Sequence, residues 1–365
     1  MKKEIDETMK LGIVGLPGVG KTTLYNALTG SRAETGGYGG SGKANVGQAK
    51  VPDERLDWLA EYYKPKKYSP ASIDFVDVSG VSKGQGRGNS VLQNIRQTDA
   101  LVHVVRCFDN DNLFPEPADA RSDAETLELE LILADIEVVE RRLDKARKNL
   151  KGGDKKYKRE ADMCEQLLAH LGDGKPARSF PFTEEDRDIL QDGGLLSTKP
   201  VIYAANLDED GMANYKENAQ FLALSALAAE EGAAVLPVAA KFEEDIMDMD
   251  AEDAQMFMEE LGLTERGLDR LIKTSYELLG YISFLTAGPD DVHAWTITRG
   301  TKAPKAAGKI HSDIERGFIR AEVVAFEDLK ACGTMAGAKA KGLFRLEGKD
   351  YVMKDGDIVN FLFNV

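Results

Sequence analysis

The sequence predicts an α/β protein in three parts: a mostly parallel sheet with helices on both faces, an inserted α-helical hairpin, and a small β-rich domain at the C-terminal end. Three observations predict it. An apolar strand at 11–14 runs through the turn Gly15-Leu16-Pro17-Gly18-Val19-Gly20-Lys21-Thr22 into a helical segment at 23–28. A second apolar strand, Ile73-Asp74-Phe75-Val76-Asp77-Val78-Ser79-Gly80, ends in D-x-x-G about 55 residues later. Beyond Tyr281 the pattern changes to short β-rich runs separated by turns.

The first turn fits G-x-x-x-x-G-K-[ST] at every required position, between a strand and a helix, and so predicts the domain of a P-loop NTPase. Gly15, Pro17, Gly18, Val19 and Gly20 carry backbone N–H groups that turn toward phosphates, and Thr23 continues the helix whose positive end faces them. Lys21 is placed to reach the β and γ phosphates, and Thr22 to ligate Mg²⁺. The bland alternative is a glycine-rich turn that merely joins strand to helix. In the second motif Asp77 helps hold Mg²⁺ and the amide of Gly80 senses the γ-phosphate. Val81 follows where many GTPases carry a water-orienting glutamine, so hydrolysis is expected to be slow or to use another group.

Composition excludes several classes. A chain of 365 residues with 42% hydrophobic content has room for two or three domains with sizeable cores. No window of about eighteen residues is apolar enough to span a membrane, and residues 1–10 are charged, so a cytoplasmic protein is expected. Cys107, Cys164 and Cys332 lie far apart, without zinc or disulfide spacing. The net charge of −15 argues against general nucleic-acid binding, but its distribution is uneven. Between Arg141 and Arg159 ten Lys or Arg face Asp144 and Asp154, a balance of +8, and between Arg299 and Arg320 six basic residues face Asp313 and Glu315, a balance of +4. Such patches on an acidic body suit local contact with RNA.

In chain order, residues 30–47 contain seven glycines and read as a loop where a nucleotide switch would lie. Residues 52–63 read as a short helix, with Leu56, Leu59 and Tyr63 at helical spacing. Gly84-Gln85-Gly86-Arg87-Gly88 forms a second flexible switch, and 100–108 a buried strand in which His103 reads as a core histidine. From 125 to about 171 apolar residues recur at helical steps, broken at Lys151-Gly152-Gly153-Asp154, which predicts an antiparallel hairpin with the +8 cluster at its tip. That tip is either a solvated face or an RNA contact. Strands resume at 199–209 and 233–240, the first ending in Asn206-Leu207-Asp208-Glu209 where a guanine-reading domain has N-K-x-D. Loss of the lysine and replacement of the last aspartate by Glu209 should weaken guanine selection. Helices follow at 243–261 and 267–279, and Asp355-Gly356 marks a hairpin in the last run. The expected segmentation is 9–124 and 197–280 for the nucleotide domain, 125–196 for the arm and 281–365 for the small domain.

These residues together resemble the YchF subfamily of Obg-like ATPases. The matching stretches are Gly12-Ile13-Val14-Gly15-Leu16-Pro17, Phe75-Val76-Asp77-Val78-Ser79-Gly80, His103-Val104-Val105-Arg106-Cys107-Phe108-Asp109-Asn110-Asp111-Asn112, Ala306-Ala307-Gly308-Lys309-Ile310-His311-Ser312-Asp313 and the C-terminal Gly348-Lys349-Asp350-Tyr351 with Phe363-Asn364-Val365. The resemblance implies a G domain interrupted by a coiled-coil arm, a C-terminal β-grasp-like TGS domain, a Mg²⁺-dependent preference for ATP through Asn206, Leu207 and Glu209 in an N-x-x-E motif, and association with ribosomes through rRNA or tRNA. Three departures stand out. Ser41-Gly42-Lys43-Ala44-Asn45 replaces the usual T-I-E-P-N, leaving Ser41 for the threonine that meets Mg²⁺ and γ-phosphate; the second switch is about four residues shorter; and Leu113-Phe114-Pro115 follows Asn110-Asp111-Asn112 where the family often has a histidine. Three functions remain open on the sequence: a slow ATPase switch with Lys21 and Ser41 at the chemistry, a GTPase in which Asp208 or Glu209 reads guanine, and a non-hydrolysing ATP-dependent binding module.

Overall fold

The computed structural model describes residues 9–33, 44–78, 80, 90–110, 114–150, 155–190, 194–247 and 249–364. The strands in chain order are β1 (Lys10–Val14), β2 (Asn45–Lys50), β3 (Lys67–Ser69), β4 (Ser72–Asp77), β5 (Ala100–Arg106), β6 (Val201–Asn206), β7 (Ala234–Val238), β8 (Tyr281–Ala287), β9 (Asp291–Thr298), β10 (Phe318–Ala325), β11 (Arg345–Glu347) and β12 (Asp357–Phe363). They form two six-stranded sheets, β2-β4-β1-β5-β6-β7 and β11-β10-β12-β8-β9-β3.

In the first sheet β4, β1, β5, β6 and β7 are parallel neighbours. The chain steps to one side of β1 for β4 and to the other for β5, so the order reverses at the carboxyl end of β1, the place where open α/β sheets bind ligands. β5 and β6 are buried at every position, as strands covered on both faces must be. The arm leaves through the helix Ala120–Asn149, capped by Asp119 on the amide of Ser122, with Arg147 and Lys148 at its negative end. It packs antiparallel on the helix Lys155–Gly172, and Ile132, Val139, Leu143 and Ala146 meet Ala161, Cys164, Leu167 and Leu171 in a core of their own. The arm base is clamped by Arg178, whose guanidinium donates to both oxygens of Glu128 (3.0 and 2.9 Å) and to Glu231 (3.0 Å), the acceptor also of the Tyr203 hydroxyl at 2.9 Å. The expected helix at 243–261 is two helices, Ala240–Ile246 and Ala251–Glu260, because Asp250 takes the amides of Glu252 and Asp253 and starts the second one.

The chain divides into two compact units, Met1–Gln48 with Asp74–Leu271, and Ala49–Ile73 with Ile272–Val365. The second departs from the expected segmentation, since residues 49–73 join the C-terminal part. The reason is strand pairing: β3 runs parallel to β9, with Lys67 opposite Asp291 and Ser69 opposite His293. The helix Glu54–Tyr63 adds an ion pair from Arg55 to Asp355 (2.7 Å) and an edge contact from Trp58 to Phe326. In this sheet β8 and β9 are antiparallel, the helix Ala303–Ile310 buries Ala303, Ala306 and Ala307 against the core, and β12 returns parallel to β8, a β-grasp-like order. The expected hairpin at Asp355-Gly356 is absent: the turn is pinned to β8 by the Ser283 amide on Asp355 (2.8 Å) and by the Gly356 amide on the Ser283 carbonyl (2.9 Å), and β12 pairs with β10 and β8. No described helix is long and apolar enough to cross a membrane, and Cys107, Cys164 and Cys332 are free thiols.

Candidate nucleotide site

The phosphate loop joins the end of β1 to the helix Lys21–Thr29. Gly20 sits at the helix start with φ 98°, a left-handed conformation, and a Cβ there would lie 2.4 Å from Nδ2 of Asn206. Gly15 is equally constrained, since its Cβ would meet the carbonyl of Val104 at 2.5 Å. No side chain caps this helix and no acid lies in its first turn, so its leading amides are left for an anion. Thr23 is half-buried in that turn. Gly80 abuts the same loop, where an added Cβ would fall 3.0 Å from the Cα of Pro17.

Lys21 is 7% exposed and donates from Nζ to the carbonyl of Leu16 at 2.6 Å. Burial lowers its pKa to about 8, against a smaller opposing pull from Asp77. Thr22 donates from Oγ1 to Oδ2 of Asp77 at 3.1 Å, while Oδ1 of that buried carboxylate makes no hydrogen bond. Burial raises the Asp77 pKa, and Thr22, Lys21 and Asn45 oppose it. An orphaned carboxylate oxygen beside a threonine hydroxyl fits Mg²⁺, which takes few protein oxygens and keeps water and phosphate for the rest.

Asn206, at the end of β6, is buried and fully engaged: Nδ2 donates to the carbonyl of Val19 (2.8 Å) and Oδ1 accepts from the amide of Ala240 (3.0 Å). It ties the phosphate loop to the turn after β7. Leu207 is buried in the core with its amide on the carbonyl of Val238 (2.8 Å). Asp208 caps the short helix Glu209–Ala213 by accepting from the amide of Gly211 at 2.8 Å. Glu209, the first residue of that helix, is exposed. Of the four residues in the turn after β6, Glu209 has the carboxylate that neither packing nor capping takes.

His103 lies in the middle of β5, buried against the Tyr203 ring, and burial with the nearby charges of Arg178 and Lys21 lowers its pKa to about 3. It is a neutral core residue, as its strand position suggests. Ser41, Val81 and the second switch at 84–88 fall outside the described residues. Sequence reasoning missed Asn26, whose amide side chain exchanges two hydrogen bonds with the backbone of Ala33 (3.0 and 2.9 Å) and so fixes where the glycine-rich segment leaves the helix. Asn45 beside Asp77 was missed as well. Asn26 belongs to no contiguous motif, so no local signal pointed to it, whereas Asn45 closes the Ser41–Asn45 stretch that stands for T-I-E-P-N, a signal read only for Ser41.

The two basic patches differ. In the arm Arg142 pairs with Glu160, Arg147 with Glu165 and Arg159 with Asp186, while Arg141, Lys145 and Lys148 stand exposed one helical turn apart, with Lys156 and Lys158 exposed on the facing helix. In the second patch Lys302 pairs with Asp350, Lys305 with Glu315 and Arg316 with Asp313, which neutralises half of the six cations.

A family model described as a 50S ribosome-binding GTPase matches residues 10–140, and a YchF GTPase C-terminal model, described as a protein of unknown function, matches residues 281–364. The chain is 49% identical over 361 residues to the ribosome-binding ATPase YchF of Bacillus subtilis, covering 97% of this chain and 99% of that one. It is 39% identical to Obg-like ATPase 1 of Gallus gallus, covering 98% and 93%. Among solved structures, the Schizosaccharomyces pombe YchF GTPase superposes with a TM-score of 0.84 at 32% identity, covering 97% of this chain and 98% of that one. A phosphate loop, a paired Thr22 and Asp77 and a β-grasp-like C-terminal sheet, together with similarity along nearly the whole length of these relatives, place this chain in the YchF family.

Proposed function

We propose that this chain is a ribosome-associated ATPase that binds ATP with Mg²⁺, hydrolyses it slowly to ADP and phosphate, and signals its nucleotide state to the translation machinery in the cytoplasm. The observation that carries the reading is the buried Lys21 beside an open helix N-terminus, with Thr22 and Asp77 poised next to it. Lys21 would leave the Leu16 carbonyl for the β and γ phosphates, and the amides of 15–23 would hold the negative charge that spreads over the γ-phosphoryl oxygens as the bond to ADP breaks. Thr22 and Asp77 would hold Mg²⁺, which when bound would supply charge neutralisation to the phosphates. Neither Phe114 nor Pro115 can take a proton from the attacking water, so positioning and electrostatics carry the rate, and it is low.

Adenine preference rests on Glu209, the exposed carboxylate of the N-x-x-E turn. The same exposure favours GTP as a second reading, since a carboxylate there can accept from guanine N1–H and its amino group. The domain assignment that goes with this function is a nucleotide domain at 9–124 and 197–280, an arm at 125–196 and a TGS domain at 281–365, with 49–73 joined to the last. Ribosomal RNA or tRNA would meet the exposed arm row of Arg141, Lys145 and Lys148 more readily than the internally paired 299–320 patch.

Single-turnover hydrolysis of labelled ATP, with and without ribosomes, tests the enzyme: cleavage above the protein-free control in either condition is expected, and none in both would leave only a binding module. Replacing Arg141, Lys145 and Lys148 with alanine should flatten the salt dependence of ribosome co-sedimentation; unchanged co-sedimentation would return the row to solvent.

A further inference from the structure

β5 ends at Arg106, a cation only 6% exposed. Its guanidinium donates to the carbonyls of Glu116 (3.3 and 3.4 Å) and Pro117 (3.1 Å) and lies 4.1 Å from the centre of the Phe114 ring. The amide of Phe114 donates to the carbonyl of Asn110 at 2.9 Å, which ties the backbone of the ring's residue to the chain just after β5. The ring's other edge rests on the phosphate loop: a Cβ built on Gly18 would stand 3.0 Å from Cζ of Phe114. A cation held from behind thus presses an aromatic ring onto the middle of the run of amides that binds phosphates.

The ring has no proton to give or take. It offers shape: it stands at the rim of the loop beside Gly18, which is exposed in the free protein, so that phosphates bound there would be walled on that side and shielded from water, where their attraction to Lys21 is stronger. We propose that Phe114, braced by Arg106, is a nucleotide-retaining wall that slows the release of bound nucleotide from the phosphate loop. The proposal rests on the nucleotide-binding reading above and adds a residue that the phosphate-loop motif does not contain. Its occupant is the phosphate end of a nucleoside triphosphate or diphosphate, so it acts on ATP and ADP alike.

The test is stopped-flow dissociation of fluorescent mant-ATP and mant-ADP from the full-length protein, chased with excess unlabelled nucleotide in Mg²⁺. Phe114→Ala should release both nucleotides about tenfold faster than the unaltered chain, the scale of one lost aromatic contact. Phe114→Tyr, which keeps the ring, should restore the slow rate to within about twofold, a rescue that tells a wall from a general loosening of the loop. Arg106→Met should give an intermediate acceleration of about threefold, from loss of the brace. Dissociation from Phe114→Ala within about twofold of the unaltered chain overturns the proposal, as does a Phe114→Tyr variant as fast as the alanine one. Should Arg106→Met fail to fold, the two Phe114 variants decide alone. Failure of the unaltered chain to bind either mant-nucleotide would be a different result: it would remove the nucleotide reading itself.

Discussion

The two ends of the candidate nucleotide site are built on opposite plans. At the phosphate end the described side chains and loop are braced: Lys21 is held by the Leu16 carbonyl, Thr22 by Asp77, and the Val19 carbonyl by Asn206. At the base end the turn contributes a packed Leu207, an Asp208 already committed to capping and an exposed Glu209. Phosphates are common to all nucleotides, so a rigid, preorganised cradle serves any of them. In the proposed function base choice would rest on the exposed Glu209, where a small change could alter specificity without disturbing phosphate binding.

The largest effect that sharpens this contrast is expected from Lys21→Met. Removing the buried ammonium should weaken both ATP and GTP by about 100-fold or more in calorimetric titration, the scale of a lost charge-assisted contact to phosphate. Unequal losses for the two nucleotides would break the division between the ends.

Next is Asn206→Ala, which leaves the Val19 carbonyl and the Ala240 amide unpaired. A stability loss of about 2 to 3 kcal/mol in chemical denaturation is expected, with ATP and GTP affinities falling together. If Asn206 contacted the base instead of bracing the loop, the ratio of the two affinities would change and the stability would not.

A smaller effect comes from pH. Lys21 in the free protein loses its proton near pH 8, and bound phosphate favours the charged form, so the complex holds that proton to higher pH. Affinity is therefore fully present below about pH 8 and declines above it. From pH 7 to pH 9 ATP binding should weaken about tenfold, while the Lys21→Met variant should show no such slope. A flat profile for the unaltered chain would mean that Lys21 stays charged throughout.

The same contrast explains how much could be read from the sequence. The phosphate loop and the D-x-x-G strand were legible because their chemistry is contiguous: Gly20 and Lys21 adjoin in the chain as they do in space. Asn206 was legible as a position but not as a strut, because its partners lie at Val19 and Ala240, in two other segments. Residues 52–63 read as a short helix ahead of the D-x-x-G strand, and helical spacing says nothing of the pairing between β3 and β9, partners more than two hundred residues apart. Counting charges made the 299–320 patch look like a weaker version of the arm tip. It is weaker still once pairing is counted, because Asp350, outside the counted window, and the two acids within it are bonded to three of its six cations, whereas Glu160, Glu165 and Asp186 pair with three of the ten in the arm. At Asp355-Gly356 the dipeptide correctly marked a turn, but the hydrogen bonds of Ser283 decided which strand the turn would join.

The central claim, that an ATP-selecting turn is attached to an indifferent phosphate cradle, is tested most directly by titrating the nucleotide-free protein side by side with ATP and GTP in Mg²⁺, then repeating both with Glu209→Ala. The account predicts tighter binding of ATP by the unaltered chain, and a ratio that moves toward unity in the variant with its folding stability unchanged within about 0.5 kcal/mol. Tighter binding of GTP, or a ratio indifferent to Glu209, would contradict it.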